Sequence, residues 1–100
     1  MTKSTGKSEI KVIGGKLIRA QVVVEDKIVT NVVITGDFFL HPEDGIENLE
    51  KELVMTKAEP ETLRMNILNF FKRGYVMVGA TPEDFAKVVL DAASQASVMN

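Results

Sequence analysis

The hydrophobic pattern of this chain changes its period once, between Ile34 and Glu43. Before that point apolar and polar residues alternate, which is the period of two of a half-buried strand. After it, apolar residues recur every three or four positions, as on one face of a helix. The junction reads Ile34-Thr35-Gly36-Asp37-Phe38-Phe39-Leu40-His41-Pro42-Glu43 and combines a glycine turn, two phenylalanines and a proline. The pattern therefore predicts strands first and helices after.

Two consecutive strands are predicted before the junction. The first, from Lys16 to Glu25, carries one apolar side: Ile18, Ala20, Val22 and Val24. In the second, alternation groups Ile28, Thr30, Val32 and Ile34 on one side, and Val29, Asn31, Val33 and Thr35 on the other. The segment Glu25-Asp26-Lys27 is short enough for a hairpin, with Asp26 as the expected turn residue. Shorter strands are expected at residues 10–13, 38–40 and 75–78.

Three helices are predicted after the junction. The first opens near Pro42 and carries one apolar stripe: Ile46, Leu49 and Leu53. The second begins near Pro60 and stops at Gly74, because glycine readily takes the left-handed conformation that ends many helices. The third begins after Thr81, since a hydroxyl followed by proline and acids is typical of a helix start. From Ser94 onward the chain is expected to fray.

These elements predict an α+β fold, with a small antiparallel sheet of about three strands and about three helices packed on one face. One hundred residues correspond to one domain. We expect that domain to cover residues 10–100, and the polar residues 1–9 to form a flexible tail.

Composition excludes several classes of function. The chain has no cysteine and one histidine, which removes disulfides, thiolate nucleophiles and cysteine-based metal sites. Its net charge of -2 argues against a general nucleic-acid binder. The charge is uneven, with five basic residues against one acid in residues 1–24 and ten acids against three lysines in residues 25–62. No apolar run is long enough for a membrane span or a secretory signal, so the cytoplasm is the expected compartment.

Few residues are candidates for chemistry, and each has a structural alternative. Gly14-Gly15-Lys16 can present backbone N–H groups and a cation to an anion, or can be a tight turn into the next strand. Arg19 can hold a carboxylate or phosphate, or can be paired on the surface. Asp37 can hold a basic group of a partner, or can accept backbone N–H groups in its turn.

The two phenylalanines of the junction point to opposite faces if the chain is extended there. One of Phe38 and Phe39 should then enter the core, while the other is a possible exposed anchor for a partner; both can also be core residues of two layers. His41 is expected at a helix start or on the surface, and no metal site is expected.

Two short sequence segments, in this order, resemble the C-terminal accessory domain of lipoate–protein ligase: Gly14-Gly15-Lys16-Leu17-Ile18-Arg19 and Ile34-Thr35-Gly36-Asp37-Phe38-Phe39. More narrowly, the chain is similar to the free-standing version found as the small subunit of archaeal bipartite ligases. The resemblance covers roughly residues 10–95. It implies a fold like that of iron–sulfur scaffold proteins. Asp26 departs from the family in a turn where glycine is expected.

The resemblance also implies a division of labour. The large catalytic subunit would hold ATP, Mg²⁺ and lipoate, and this chain alone would bind no cofactor. The chain would dock as a heterodimer partner and would be required to form lipoyl-adenylate, ahead of transfer to acceptor domains such as E2 or H protein. Gly14, Gly15, Lys16, Arg19, Asp37, Phe38 and Phe39 would face the partner or its active site, with no catalytic residue among them. The alternative is a scaffold or binding module with the same fold and no thiol chemistry.

Overall fold

The computed structural model describes residues 3–12, 14 and 16–98, and for residues 97 and 98 only the backbone. The elements in chain order are β1 (Lys3–Lys11), β2 (Leu17–Glu25), β3 (Ile28–Gly36), β4 (Phe39–His41), α1 (Gly45–Leu53), α2 (Pro60–Phe71), β5 (Val76–Val78) and α3 (Pro82–Val98). An antiparallel sheet has the order β1-β2-β3, and β4 and β5 form a separate two-stranded sheet. The predicted α+β class is confirmed.

The inner face of β2 forms the base of the core. Its four alternating apolar residues are all buried, as predicted: Ile18, Ala20, Val22 and Val24. They belong to one hydrophobic core with buried residues of all three helices, including Leu49, Ile67 and Val88. Burial of such side chains is the main source of stability in a domain of this size. The helices are therefore held against one face of the sheet.

A tight hairpin joins β2 to β3. Glu25 pairs with Ile28, so the loop consists of Asp26 and Lys27 alone. Both residues have positive φ, 54° and 68°, which is the backbone of the twisted two-residue turns that suit hairpins. The predicted turn at Asp26 is confirmed, and an aspartate takes here the conformation for which glycine was expected.

A bulge corrects the predicted alternation of β3. Val23 pairs with Asn31 and Val24 with Val29, so Thr30 is an extra residue without an opposite partner. Because a bulge shifts the register by one residue, Val29 turns to the core and is fully buried. The prediction that grouped Val29 with Asn31, Val33 and Thr35 is therefore wrong, because those three residues are exposed. Val32 and Ile34, from the other predicted side, are buried with Val29.

The predicted flexible tail over residues 1–9 is wrong from Lys3 onward, because these residues form most of β1. The strand pairs with β2 along its whole length and lies against α3. A Cβ atom at Gly6 would overlap the carbonyl oxygen of Ala92, so the strand and the helix can approach this closely only at a glycine. The hydroxyl of Ser4 donates to the carbonyl oxygen of Ala96.

The helix starts follow the predictions in two cases of three. α2 begins at Pro60 as expected, and Gly74, with φ of 98°, follows its end. At the start of α3 the Asp84 N–H donates to the Thr81 hydroxyl over 3.2 Å, and the Thr81 N–H donates to the Asp84 carboxylate over 2.9 Å. This reciprocal pair is a capping box. α1, however, begins at Gly45 rather than near Pro42.

The end of α3 also differs from expectation. The helix continues to Val98 instead of fraying from Ser94. Ala96 is fully buried in the last turns, so contact with β1 holds the helix beyond the point at which its sequence becomes polar.

The outer edge of β3 is closed by the segment that contains α1 and follows it. The Ile34 N–H donates to the Glu50 carboxylate over 2.7 Å. Farther along, the Val29 N–H donates to the carbonyl of Thr56, and the Met55 N–H donates to the carbonyl of Val29. Unpaired edge groups would otherwise be open to other strands. No helix in the described part of the chain is long and apolar enough to cross a membrane.

Candidate functional site

The two-stranded sheet of β4 and β5 carries a compact apolar surface. Phe39 pairs with Val78, Leu40 with Met77, and His41 with Val76. Because side chains alternate along a strand, one side of this ribbon holds Leu40 and Met77, which pack against the core. The other side holds Phe39, His41, Val76 and Val78, and we call these four residues the ribbon face. Phe39 is 75% exposed, Val76 59% and Val78 61%.

Phe38 and Phe39 point to opposite sides, as the sequence predicted. The ring of Phe38 lies with its centroid 4.8 Å from that of Phe85, a buried residue of α3. Phe39 follows directly and projects outward. Phe38 therefore belongs to the core periphery, and only Phe39 has the exposure that a contact residue needs.

The turn between β1 and β2 lies at one end of the ribbon. It is closed by the Val12 N–H, which donates to the carbonyl of Lys16 over 2.9 Å. Gly14 has a φ of 97°, in the left-handed region. The position that a Cβ atom would occupy at Gly14 is open space. Lys16 is exposed, and its side chain reaches Gly79, the residue after β5. The Lys16 Cε atom lies 3.8 Å from the position that a Cβ atom would occupy at Gly79. Gly15, the middle residue of the predicted anion turn, lies outside the described residues.

Asp37 lies on the same side of the molecule as this turn. Its backbone N–H donates to the carbonyl of Leu17 over 2.8 Å, and its own carbonyl oxygen lies 3.4 Å from the Cβ position of Gly79. Gly36 allows the approach, because a Cβ there would overlap the Leu17 carbonyl oxygen. Asp37 is exposed. One of the two alternatives for its carboxylate was that it accepts backbone N–H groups in the turn, but among the described residues no hydrogen bond reaches it.

Arg19 belongs to a different surface, the sheet face opposite the helices. Its Nε donates to the Glu9 carboxylate over 3.0 Å, and the two side chains are 62% and 60% exposed. They border a shallow groove of about 530 Å³ that also includes Gln21 and Thr35. Of the predicted site residues, the structure brings Lys16 and Asp37 together at Gly79, beside Gly14 in the turn and Phe39 on the ribbon. The backbone of Phe38 lies at the same place but its ring packs into the core, and Arg19 lies on a separate surface.

Comparison with known proteins identifies the family. A sequence model described as the C-terminus of bacterial lipoate protein ligase matches residues 6–89. The chain belongs to the lipoate protein ligase C-terminal family. The resemblance inferred from the two sequence segments is confirmed. Membership covers β1 through the middle of α3, and so includes the junction, the ribbon and the turn at Gly14.

A curated ligase subunit and a solved structure, both from Thermoplasma acidophilum, are similar to this chain. Lipoate-protein ligase A subunit 2 is 32% identical over 73 residues, which cover 73% of this chain and 76% of that protein. A solved structure of an archaeal lipoylation system, described as a bipartite lipoate protein ligase and its E2 lipoyl domain, contains a chain of the same fold. The TM-score is 0.72 and the identity 28%, with 88% of this chain and 94% of that chain covered.

The exposure of Val76 and Val78 is the part of the candidate site that sequence reasoning missed. Tyr75-Val76-Met77-Val78 is uniformly apolar, so the alternation that distinguishes an inward from an outward residue is absent. Within residues 3–12, 14 and 16–98, no three His, Asp or Glu side chains are grouped closely enough to hold a metal ion.

Proposed function

We propose that this chain is the accessory subunit of a bipartite lipoate–protein ligase, in which a separate large subunit carries the catalytic residues. The observation that supports this most strongly is the extent of the structural match. It covers nearly all of a chain found in a bipartite ligase, and nearly all of this one. The relative named as subunit 2 supports the same role.

The proposed reaction has two steps, and the chain is required for the first. The lipoate carboxylate attacks the α-phosphorus of ATP, the bond to the β-phosphate oxygen breaks, and pyrophosphate leaves with lipoyl-adenylate as the other product. In the second step the ε-amine of an acceptor lysine attacks the acyl carbonyl, AMP leaves and the amine loses a proton. ATP, Mg²⁺ and lipoate are bound by the large subunit. The acceptor is a lipoyl domain such as that of E2 or H protein, and the compartment is the cytoplasm.

The surface proposed to face the large subunit includes Gly14, Gly15, Lys16 and Asp37, together with Phe39. A lysine beside an exposed turn suits a neighbouring phosphate, because its ammonium group is a compact charge that can meet an anion from several directions. Phe38 contributes by fixing the chain from which Phe39 projects. Arg19 remains a candidate contact on the outer face of the sheet.

The test is pyrophosphate release from lipoate and ATP by the purified large subunit, with and without this chain. We expect little release by the large subunit alone and a rate that increases with added chain until the two are equimolar. Transfer of lipoyl groups from preformed lipoyl-adenylate is measured in parallel and should depend much less on the chain. Equal pyrophosphate rates with and without the chain would contradict the proposal.

A further inference from the structure

We infer that the ribbon face, which includes the opposed pair Phe39 and Val78, is the apolar centre of the surface that docks on the large subunit. This inference rests on the proposed function and adds the residues that hold the two chains together. β4 and β5 form this docking surface together. It therefore includes two valines that lie far from Phe39 in sequence.

The exposed apolar residues of the chain are concentrated on this face. Six large hydrophobic side chains are exposed in the described part of the molecule. Three of them lie on the ribbon, where Phe39 is directly opposite Val78 and Val76 is two residues farther along the same strand. The other three, Val33, Met55 and Met65, lie on separate elements. Scattered exposed residues are normal, but a contiguous cluster that includes an aromatic ring marks an interaction site.

The ribbon is held in place by the core. Each strand is preceded by an aromatic residue that packs inward: Phe38 lies against Phe85 before β4, and Tyr75 stacks on Phe70 before β5 with centroids 4.3 Å apart. Leu40 and Met77 anchor the inner side. The outward side chains therefore project from a fixed backbone, and a partner that binds them does not have to order that backbone first.

The size of the patch favours a large, different partner over a second copy of this chain. One phenylalanine and two valines expose on the order of a few hundred Å², whereas a stable complex needs about 800 Å² from each partner. In a symmetric dimer the same small patch would meet itself. A larger partner can cover the ribbon face and also its polar surroundings, with Lys16 and Asp37 near one end and His41 at the other. An apolar centre with a polar rim is the usual anatomy of such interfaces.

The experiment is calorimetric titration of the large subunit from the same organism with the full chain and its variants. Phe39→Ser and Val78→Thr are the test variants, and Met65→Ser, at an exposed apolar position of α2, is the matched control. Val78→Thr keeps the shape of the side chain and its preference for a strand, so it tests contact even if Phe39→Ser disturbs the ribbon. We expect each test variant to weaken binding by at least about tenfold. The control should bind within about twofold of the unchanged chain, and circular dichroism should show the same fold for all three variants.

The outcomes separate this inference from the proposed function. If the unchanged chain binds the large subunit and both test variants bind equally well, the ribbon face is not the docking surface, while the proposed function stands. An equal loss in Met65→Ser would also overturn the inference, because the effect would not be specific to the ribbon. If the unchanged chain does not bind at all, the proposed function fails, and the inference with it. Self-association that Phe39→Ser abolishes, with unchanged binding to the large subunit, would assign the face to a second copy instead.

Discussion

The ring of Phe38 packs on the ring of Phe85 with centroids 4.8 Å apart, although the next residue along the chain is among the most exposed in the molecule. Two consecutive phenylalanines therefore lie in different environments. Phe38 links β4 to α3, and Phe39 leaves three quarters of its surface outside. The difference can be measured, because the two residues are chemically identical and differ only in their surroundings.

Phe38→Ala should lower the free energy of unfolding by about 3 kcal/mol, since it removes a ring from the edge of the core and leaves a space beside Phe85. Phe39→Ala should change that free energy by less than about 0.5 kcal/mol, because an exposed side chain contributes little to folding. Urea unfolding followed by circular dichroism measures both. Similar losses in the two variants would mean that Phe39 is also packed.

The contact between Gly6 and Ala92 gives a second prediction. Gly6→Ala should destabilise the chain by about 1–3 kcal/mol, because the added methyl group meets backbone atoms of α3 that cannot rotate away. The control is Thr5→Ser on the exposed side of the same strand, with an expected change below about 0.5 kcal/mol. If Gly6→Ala is as stable as the unchanged chain, β1 does not lie this close to α3.

The capping box of α3 is tested by replacing its hydroxyl. Thr81→Ala should cost about 1 kcal/mol of unfolding free energy, because the Asp84 N–H loses its acceptor at the helix start. Thr81→Ser keeps a hydroxyl and should recover most of the loss. Thermal unfolding distinguishes the two variants, and an equal decrease in both would show that the methyl group of Thr81 matters rather than its oxygen.

The bond between Glu50 and β3 predicts a local change rather than a global one. Glu50→Ala removes the acceptor of the Ile34 N–H, so hydrogen exchange at that amide should accelerate, with a stability loss of about 1–2 kcal/mol. Glu50→Gln keeps an acceptor and should protect the amide at least partly. Unchanged exchange at Ile34 in the alanine variant would show that this edge group does not depend on Glu50.

Lys16 tests the surface proposed to lie near the partner's active site. Lys16→Ala should reduce pyrophosphate release by the two-chain ligase by at least about tenfold, since a cation near the reacting phosphates would be lost. The matched control is Lys72→Ala, at an exposed lysine after α2, which should leave the rate unchanged. Full activity of the Lys16→Ala complex would remove this residue from the proposed active-site surface.

The amphipathic elements were predictable because their apolar residues follow one period. β2 and the stripes of the helices, such as Leu49 with Leu53, are buried where the pattern placed them. The bulge at Thr30 was not predictable, because an extra residue in a strand has no compositional mark in a run rich in β-branched side chains.

β1 and the ribbon face were missed for opposite reasons. The inner side of β1 carries Ser4, Gly6 and Ser8 before Ile10, and a side chain at Gly6 would overlap the backbone of α3, so most of the strand has no apolar alternation. The segment from Tyr75 to Val78 is apolar throughout, and therefore nothing in it distinguishes a buried from an exposed residue. Gly14, Lys16, Asp37 and Phe39 of the candidate site were named from the sequence. Their position on one side with Val78 could not be predicted, because it depends on the pairing of β4 with β5.

The contact of β1 with α3 has a consequence for the order in which the chain folds. The two elements meet across a sequence separation of up to 92 residues, whereas β1 pairs with β2, and β2 with β3, through short turns. Distant contacts form late because closing a long loop costs conformational entropy. On the ribosome, therefore, the sheet can assemble early and must wait for α3 to cover its inner face beside β1. Until then the apolar residues of β2 on the same face, such as Val22 and Val24, stay uncovered, whereas the glycine and serines of β1 add little apolar surface that other nascent chains could bind.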